Sequence, residues 1–213
     1  MSAPIIPPLP TPESRPALIL ASSSRYRREL LERLRIPFHT AVPAIDETPL
    51  ADETPEATAL RLAEAKARAV AAALPPHAGR TLVIGSDQVA TFDGRQIGKP
   101  GTHERALAQL QAMRGREVLF HSALSLLDSA TGRTDTVDIV TKVRFRSPSD
   151  AALDVYLRAE APYDVAGSAK AEGLGIALLD AIESDDPTAL IGLPLIALTR
   201  MLIAAGYPLL EAQ

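Results

Sequence analysis

The chain has no cysteine and no tryptophan among its 213 residues, and aromatic residues make up only 4% of it. The missing cysteine excludes disulfides, zinc–thiolate centres, iron–sulfur clusters and thiol nucleophiles. The scarcity of aromatics leaves the core to Ala, Leu, Val and Ile. A surplus of positive charge is also lacking: 22 Lys and Arg face 26 Asp and Glu, a formal net charge of −4. That disfavours a nucleic-acid binder, which needs a basic face to neutralise phosphates. No apolar run reaches the ~18 residues of a membrane span. The Pro-rich start, residues 1–16, has neither the basic nor the apolar region of a signal peptide. It reads as a disordered tail on a cytoplasmic protein, with a single domain over 17–213. At 46% hydrophobic and 23% charged residues, that domain has ordinary globular material for a core.

The apolar pattern alternates between strand and helix. Ala17 to Ala21 is a short buried strand, followed by Ser22-Ser23-Ser24 and a helix over 27–34. Residues 42–55 read as a Pro-containing loop, and 56–74 as a strong helix. A strand over 82–84 leads into Gly85-Ser86-Asp87, and 89–92 with 95–97 read as a hairpin. A helix over 104–113 precedes two long antiparallel runs, 118–127 and 134–146. Helices from about 150 to 158 and over 193–205 enclose a loop-rich stretch at 162–175. The expected class is α/β, with a mixed, partly antiparallel sheet flanked by helices.

Several common motifs are absent: there is no P-loop, no H-E-x-x-H pair and no G-x-S-x-G elbow. Ser168-Ala169-Lys170 could suggest a Ser–Lys dyad but reads better as a loop serine near a surface lysine. Three other features converge. Ser22, Ser24, Arg27 and Arg28 join a strand to a helix N-terminus, where free N–H groups, hydroxyls and guanidiniums suit an anion. Asp46-Glu47 and Ser86-Asp87 place carboxylates in loops, the second pair just beyond a strand. Such carboxylates suit Mg²⁺, which keeps waters and takes phosphate oxygens. Lys66, in a helix, and Lys99, in a Gly-Lys-Pro turn, could surround a polyphosphate with charge. Taken singly, each is equally an N-cap, a loop acid or a solvated lysine.

Six segments in order carry a resemblance: LILASSSRYRRELLERL (18–34), IDETP (45–49), RLAEAKARAV (61–70), VIGSDQVATFDGRQIGKP (83–100), YDVAGSAKAEGLG (163–175) and IGLPLIAL (191–198). The chain resembles the Maf family of nucleotide pyrophosphatases over nearly everything after residue 17. The resemblance implies two lobes around a central cleft, often paired as a homodimer. It implies hydrolysis of a nucleoside triphosphate to a monophosphate and pyrophosphate with a divalent metal, Mg²⁺ or Mn²⁺. By the same resemblance, Asp87 matches the catalytic base. Glu47 matches an acidic residue shared in metal binding, so the metal pair is Glu47 and Asp87. Lys66 and Lys99 match active-site lysines, and Ser22, Ser24, Arg27 and Arg28 the phosphate-facing turn. Arg25 departs from the family, which usually has proline there.

Tyr26, Gln88 and Glu172 stand where the branches of the family differ. An aromatic, Gln and Glu resemble the branch acting on 7-methyl-GTP; Arg, Thr and Gln would point to dTTP or UTP. A 7-methylguanine ring is positively charged, so Tyr26 could stack on it with a cation–π component. The Glu172 carboxylate could accept the N1–H and the exocyclic amine together. The alternatives are a dTTP/UTP or modified-pyrimidine pyrophosphatase, and a nucleotide-binding regulator of septum formation with weak turnover.

Overall fold

Three strands of twelve residues each, β3 (Thr81–Phe92), β5 (Glu117–Asp128) and β6 (Thr134–Phe145), form the frame of the molecule. The computed structural model describes residues 15–210. The tail expected over 1–16 thus falls outside the described residues as far as position 14. Around the frame lie β1 (Ala17–Ala21), α1 (Arg25–Glu32), β2 (His39–Ala41) and α2 (Pro55–Ala72). They are joined by β4 (Arg95–Ile97), α3 (His103–Met113), α4 (Asp150–Glu160), β7 (Leu179–Glu183) and α5 (Leu195–Ala204). The sheet order is β2-β1-β3-β5-β6-β7, with β4 also on β3. β1, β2 and β3 run parallel, linked by helical crossovers, while β3, β5, β6 and β7 run antiparallel. This is the mixed α/β class the sequence suggests.

The local reading differs from the structure at one consequential point. The Ser86-Asp87 pair does not sit in a loop beyond the strand. β3 passes straight through it, because its ladder with β5 continues from Leu82–Asp128 to Thr91–Leu119. Both faces of the strand are covered, so its residues show no alternation to mark it. The two short edge strands β2 and β7 also escaped the sequence reading.

Two apolar clusters occupy one face of the sheet, at opposite ends of the long strands. One gathers Leu30 and Leu31 of α1 and Leu198 and Leu202 of α5 on Leu82, Ile84 and Leu124. The other gathers Leu110 of α3 and Leu153 and Leu157 of α4 on Val118, Phe120 and Val143. α2 crosses the opposite face on Ala59, Ala63 and Ala67, beside Val83, Val89 and Ala123. This small-residue stripe lets the helix approach closely. A Cβ on Gly85 would lie 2.0 Å from the Ala63 carbonyl oxygen.

β1 pairs with β3 only as far as Gly85, and β4 joins the same edge only at Ala90. Between them Ser86 to Val89 keep β5 on one side and, among the described residues, have no strand on the other. The interruption divides the two lobes and opens the cleft.

Candidate active site

The cleft measures about 590 Å³ and is lined from both lobes. One lobe supplies Ser22, Ser24, Tyr26 and Arg27 after β1; the other supplies Lys99 and the 164–172 segment. Glu47, Lys66, Asp87, Gln88 and Glu172 line it too. Of the residues singled out in the sequence, Asp46, Ser86 and Arg28 do not line the cleft. For Arg28 the reason is plain. Its guanidinium pairs with Glu32 one helical turn away, at 3.0 Å on the exposed face of α1. Placing it with the phosphate-facing group is corrected accordingly.

The floor of the cleft is ionic. Lys66 is 4% exposed and Asp87 7%. Lys66 Nζ lies 2.7 Å from Asp87 Oδ1 and 3.1 Å from Glu47 Oε1. The close seating of α2 on Gly85 brings the lysine down onto the aspartate two residues further along β3. Glu47, on its loop, is 58% exposed in its side chain. It reaches over the pair from the solvent side. Arg27 Nε donates to the Gly192 carbonyl at 2.9 Å. Desolvation pushes its guanidinium below the ordinary arginine range, and Asp87 and Glu47 oppose that shift. It stays charged.

The serine turn is arranged to donate. Ser22 Oγ accepts the Ser24 N–H at 3.1 Å, and Ser24 Oγ caps α1 by accepting the Arg27 N–H at 3.4 Å. Among the described residues neither hydroxyl donates. Both O–H groups are therefore available to an anion beside the helix N-terminus. Lys99 forms no ion pair among the described residues. Its turn is anchored instead: Gln109 Nε2 donates to the Gly98 carbonyl at 3.0 Å, and the Gly101 N–H to the Tyr163 carbonyl at 3.0 Å.

Next to Asp87 on β3, Gln88 Nε2 lies 3.0 Å from Ser122 Oγ and from the carbonyl oxygens of Ala189 and Leu190. Backbone carbonyls only accept, so the amide nitrogen must face them. Its Oε1 is thereby turned away, toward the cleft. The Arg25 guanidinium lies 4.8 Å from the centroid of the Tyr26 ring. The Tyr26 hydroxyl reaches Asp164 Oδ2 across the cleft at 3.5 Å.

Sequence reasoning missed the residues that hold the loops. Glu53 receives Arg61 in a two-pronged pair, 2.6 and 2.7 Å, and accepts the Leu50 N–H at 3.1 Å. Arg61 also holds the carbonyl of Thr48, the neighbour of Glu47, at 3.2 Å. Asp186 accepts the first free N–H groups of α5, from Ile196 and Ala197, at 2.7 and 3.2 Å. Asp164 was overlooked although it stands in the matched segment YDVAGSAKAEGLG. The Ser–Lys dyad is excluded: Ser168 is buried and donates to Gln109, while Lys170 turns to Glu160.

Among the described residues no group of three His, Asp or Glu side chains could hold a metal ion by itself. Glu47 and Asp87 nonetheless share one cation, the Lys66 ammonium. Two carboxylates completed by phosphate oxygens and waters are a donor set that suits Mg²⁺. The chemistry fits a cation shared with the substrate and not a closed protein cage. Among the described residues no helix is long and apolar enough to cross a membrane.

The Maf-like protein family model matches residues 17–205. The 7-methyl-GTP pyrophosphatase of Burkholderia thailandensis is 76% identical over 200 residues, 93% of this chain and 92% of that protein. That of Paraburkholderia xenovorans is 75% identical over 198 residues, 93% and 96% of the two chains. A protein of the same name from Cupriavidus metallidurans is 69% identical over 196 residues, 92% and 96% of the two.

Proposed function

The chain belongs to the Maf family, and from that premise we propose that it hydrolyses 7-methyl-GTP to 7-methyl-GMP and pyrophosphate. The relatives carry that name at 69–76% identity over nearly their whole length. The observation that carries the chemistry is the ionic floor: Lys66 held between Asp87 and Glu47, with Arg27 behind them, where β3 has lost its edge partner.

In this reading the triphosphate lies over that floor. Ser22, Ser24 and the N–H groups opening α1 donate to its oxygens. Arg27, Lys66 and Lys99 offset the charge that spreads over the phosphates in the transition state. Glu47 and Asp87 would hold a divalent cation, whose chemistry when bound is to neutralise phosphate oxygens. Lys66 occupies one Asp87 oxygen; the other orients a water in line with the α-phosphorus and takes its proton. The bond from the α-phosphorus to the bridging oxygen breaks, and pyrophosphate leaves with the electron pair. At the far end Tyr26 stacks on the base, and Gln88 Oε1 and Glu172 present acceptors to its N–H edge. The reading places the enzyme in the cytoplasm, where nucleoside triphosphates are met.

The test is pyrophosphate release by the full chain from 7-methyl-GTP, GTP, dTTP and UTP at fixed Mg²⁺. 7-Methyl-GTP is expected to have the highest kcat/KM, and a faster pyrimidine nucleotide would reverse the assignment. Asp87→Asn is expected to lower kcat by about 100-fold or more. Near-normal kcat in that variant would remove Asp87 from the chemistry.

A further inference from the structure

We propose that Asp164, with the Tyr26 ring it meets across the cleft, selects substrates by the positive charge of the base, and that Arg25 fills this place as a displaceable stand-in. This rests on the reading above and adds what the pocket measures: charge, not the methyl group that brings it.

Arg25 lies one residue beyond the Ser24 cap, at a turn where a proline would present no cation. Its guanidinium is a flat, delocalised cation of roughly the character of an alkylated purine edge. It sits 4.8 Å from the Tyr26 centroid and donates to the Tyr26 hydroxyl at 3.2 Å. That hydroxyl in turn reaches Asp164 Oδ2 at 3.5 Å. A planar cation, an aromatic ring and a carboxylate thus already lie together at one end of the cleft.

The two neighbouring arginines of α1 face different surroundings. Arg27 feels Asp87 and Glu47, at the phosphate end. Arg25 is held in its charged form first by the Tyr26 hydroxyl, then also by Glu29 and Asp164. Asp164 meets the Tyr26 hydroxyl, and the Lys66–Asp87–Glu47 floor is formed without it. It is a second negative centre lining the same cleft, and Glu172 lines it too. Four cations, Arg25, Arg27, Lys66 and Lys99, line a cleft that must accept a triphosphate. Acidic groups there repel the phosphates and are useful only where positive charge arrives. A base with a formal positive charge supplies it; a neutral purine does not.

Arg25 and such a base compete for one ring. Binding turns Arg25 out, and its long side chain leaves without disturbing the core, because it is exposed. The class of substrate is then any purine nucleotide made cationic by alkylation on the ring, of which 7-methylguanine is one.

The experiment separates charge from shape. The probe is 7-deaza-7-methyl-GTP, which keeps the methyl group and the outline but has carbon in place of the charged nitrogen. For the unmodified chain, kcat/KM for 7-methyl-GTP is expected to exceed that for the neutral isostere by about ten-fold. Asp164→Asn, equal in size, is expected to lower that ratio about five-fold. Arg25→Ala is expected to lower KM for 7-methyl-GTP about two-fold. The corresponding monophosphates, measured by equilibrium binding, should show the same loss of preference in Asp164→Asn. A ratio unchanged in Asp164→Asn overturns this inference while leaving pyrophosphatase action on 7-methyl-GTP intact. Absence of pyrophosphate release from 7-methyl-GTP in the unmodified chain sinks the functional reading itself. Equal turnover and binding of charged and neutral nucleotides by the unmodified chain overturns the charge reading alone.

Discussion

At Lys66 one ammonium is shared by two carboxylates, Asp87 at 2.7 Å and Glu47 at 3.1 Å, and the lysine is almost fully buried. Burying a charge is costly unless a partner remains within reach. Lys66→Met keeps the length of the side chain and removes the charge. It leaves the Asp87 carboxylate buried without its counter-ion, and is expected to cost about 3 kcal/mol of stability. The double variant Lys66→Met/Asp87→Asn should recover a large part of that loss while staying inactive. Urea denaturation of the parent and the two variants checks this. If the double variant is no more stable than Lys66→Met, the cost does not come from an uncompensated carboxylate. In the sequence, Lys66 was indistinguishable from a solvated lysine, because the partner that buries it is 21 positions away on another element. Asp87 was recognisable as an acid following an apolar run, but not as a strand residue.

At the scale of elements, the site depends on how closely α2 is seated and how firmly its preceding loop is pinned. That residues 56–74 form a helix was legible, with Ala63 and Ala67 on one face; the packing of Ala59 beside them was not. The need for Gly85 opposite that face was not either, since close approach is a property of two elements together. Gly85→Ala places a methyl 2.0 Å from the Ala63 carbonyl and 2.8 Å from the Ala67 nitrogen. α2 must lift, at a cost of about 3 kcal/mol. Lys66 must lift with it, so kcat should fall even where the variant stays folded. A variant with parental stability and kcat would show that the helix is not wedged against the strand. The loop makes a second prediction through Glu53. The Arg61 hydrogen bonds, helped by the Leu50 N–H and the Thr58 hydroxyl, bring its carboxyl from the ordinary 4.5 down to about 2. A carboxyl depressed on folding adds stability above its unfolded value and loses it as pH falls toward the folded one. The melting temperature of Glu53→Gln should therefore lie below that of the parent at pH 7. The difference should shrink from pH 4.5 downward and vanish near pH 2. A difference independent of pH would assign the effect to packing and not to the Glu53–Arg61 pair.

For the whole molecule, the six matched segments carried the Maf assignment and the mixed sheet before any coordinates. They could not say why the segments meet. The reason is topological. Pairing of β1 with β3 stops at Gly85 and pairing of β4 starts at Ala90, so one stretch of β3 is shared by two lobes whose cores lie at its opposite ends. Residues 22–27 belong to the first lobe, and residues 97–99 and 164–172 to the second. A nucleotide bound as proposed would touch both, and its binding energy would add to the stability of the folded chain. With 7-methyl-GMP at 100 times its Kd, the gain is about 2.7 kcal/mol. For a chain of this size that raises the melting temperature by roughly 5–10 °C. Amide hydrogen exchange should slow in 22–27 and in 97–101 and 164–172 together, because neither lobe closes on the ligand alone. Protection confined to the first set would mean that the phosphate turn binds by itself. The gap in β3 would then be only a break in the sheet and not the hinge of the site.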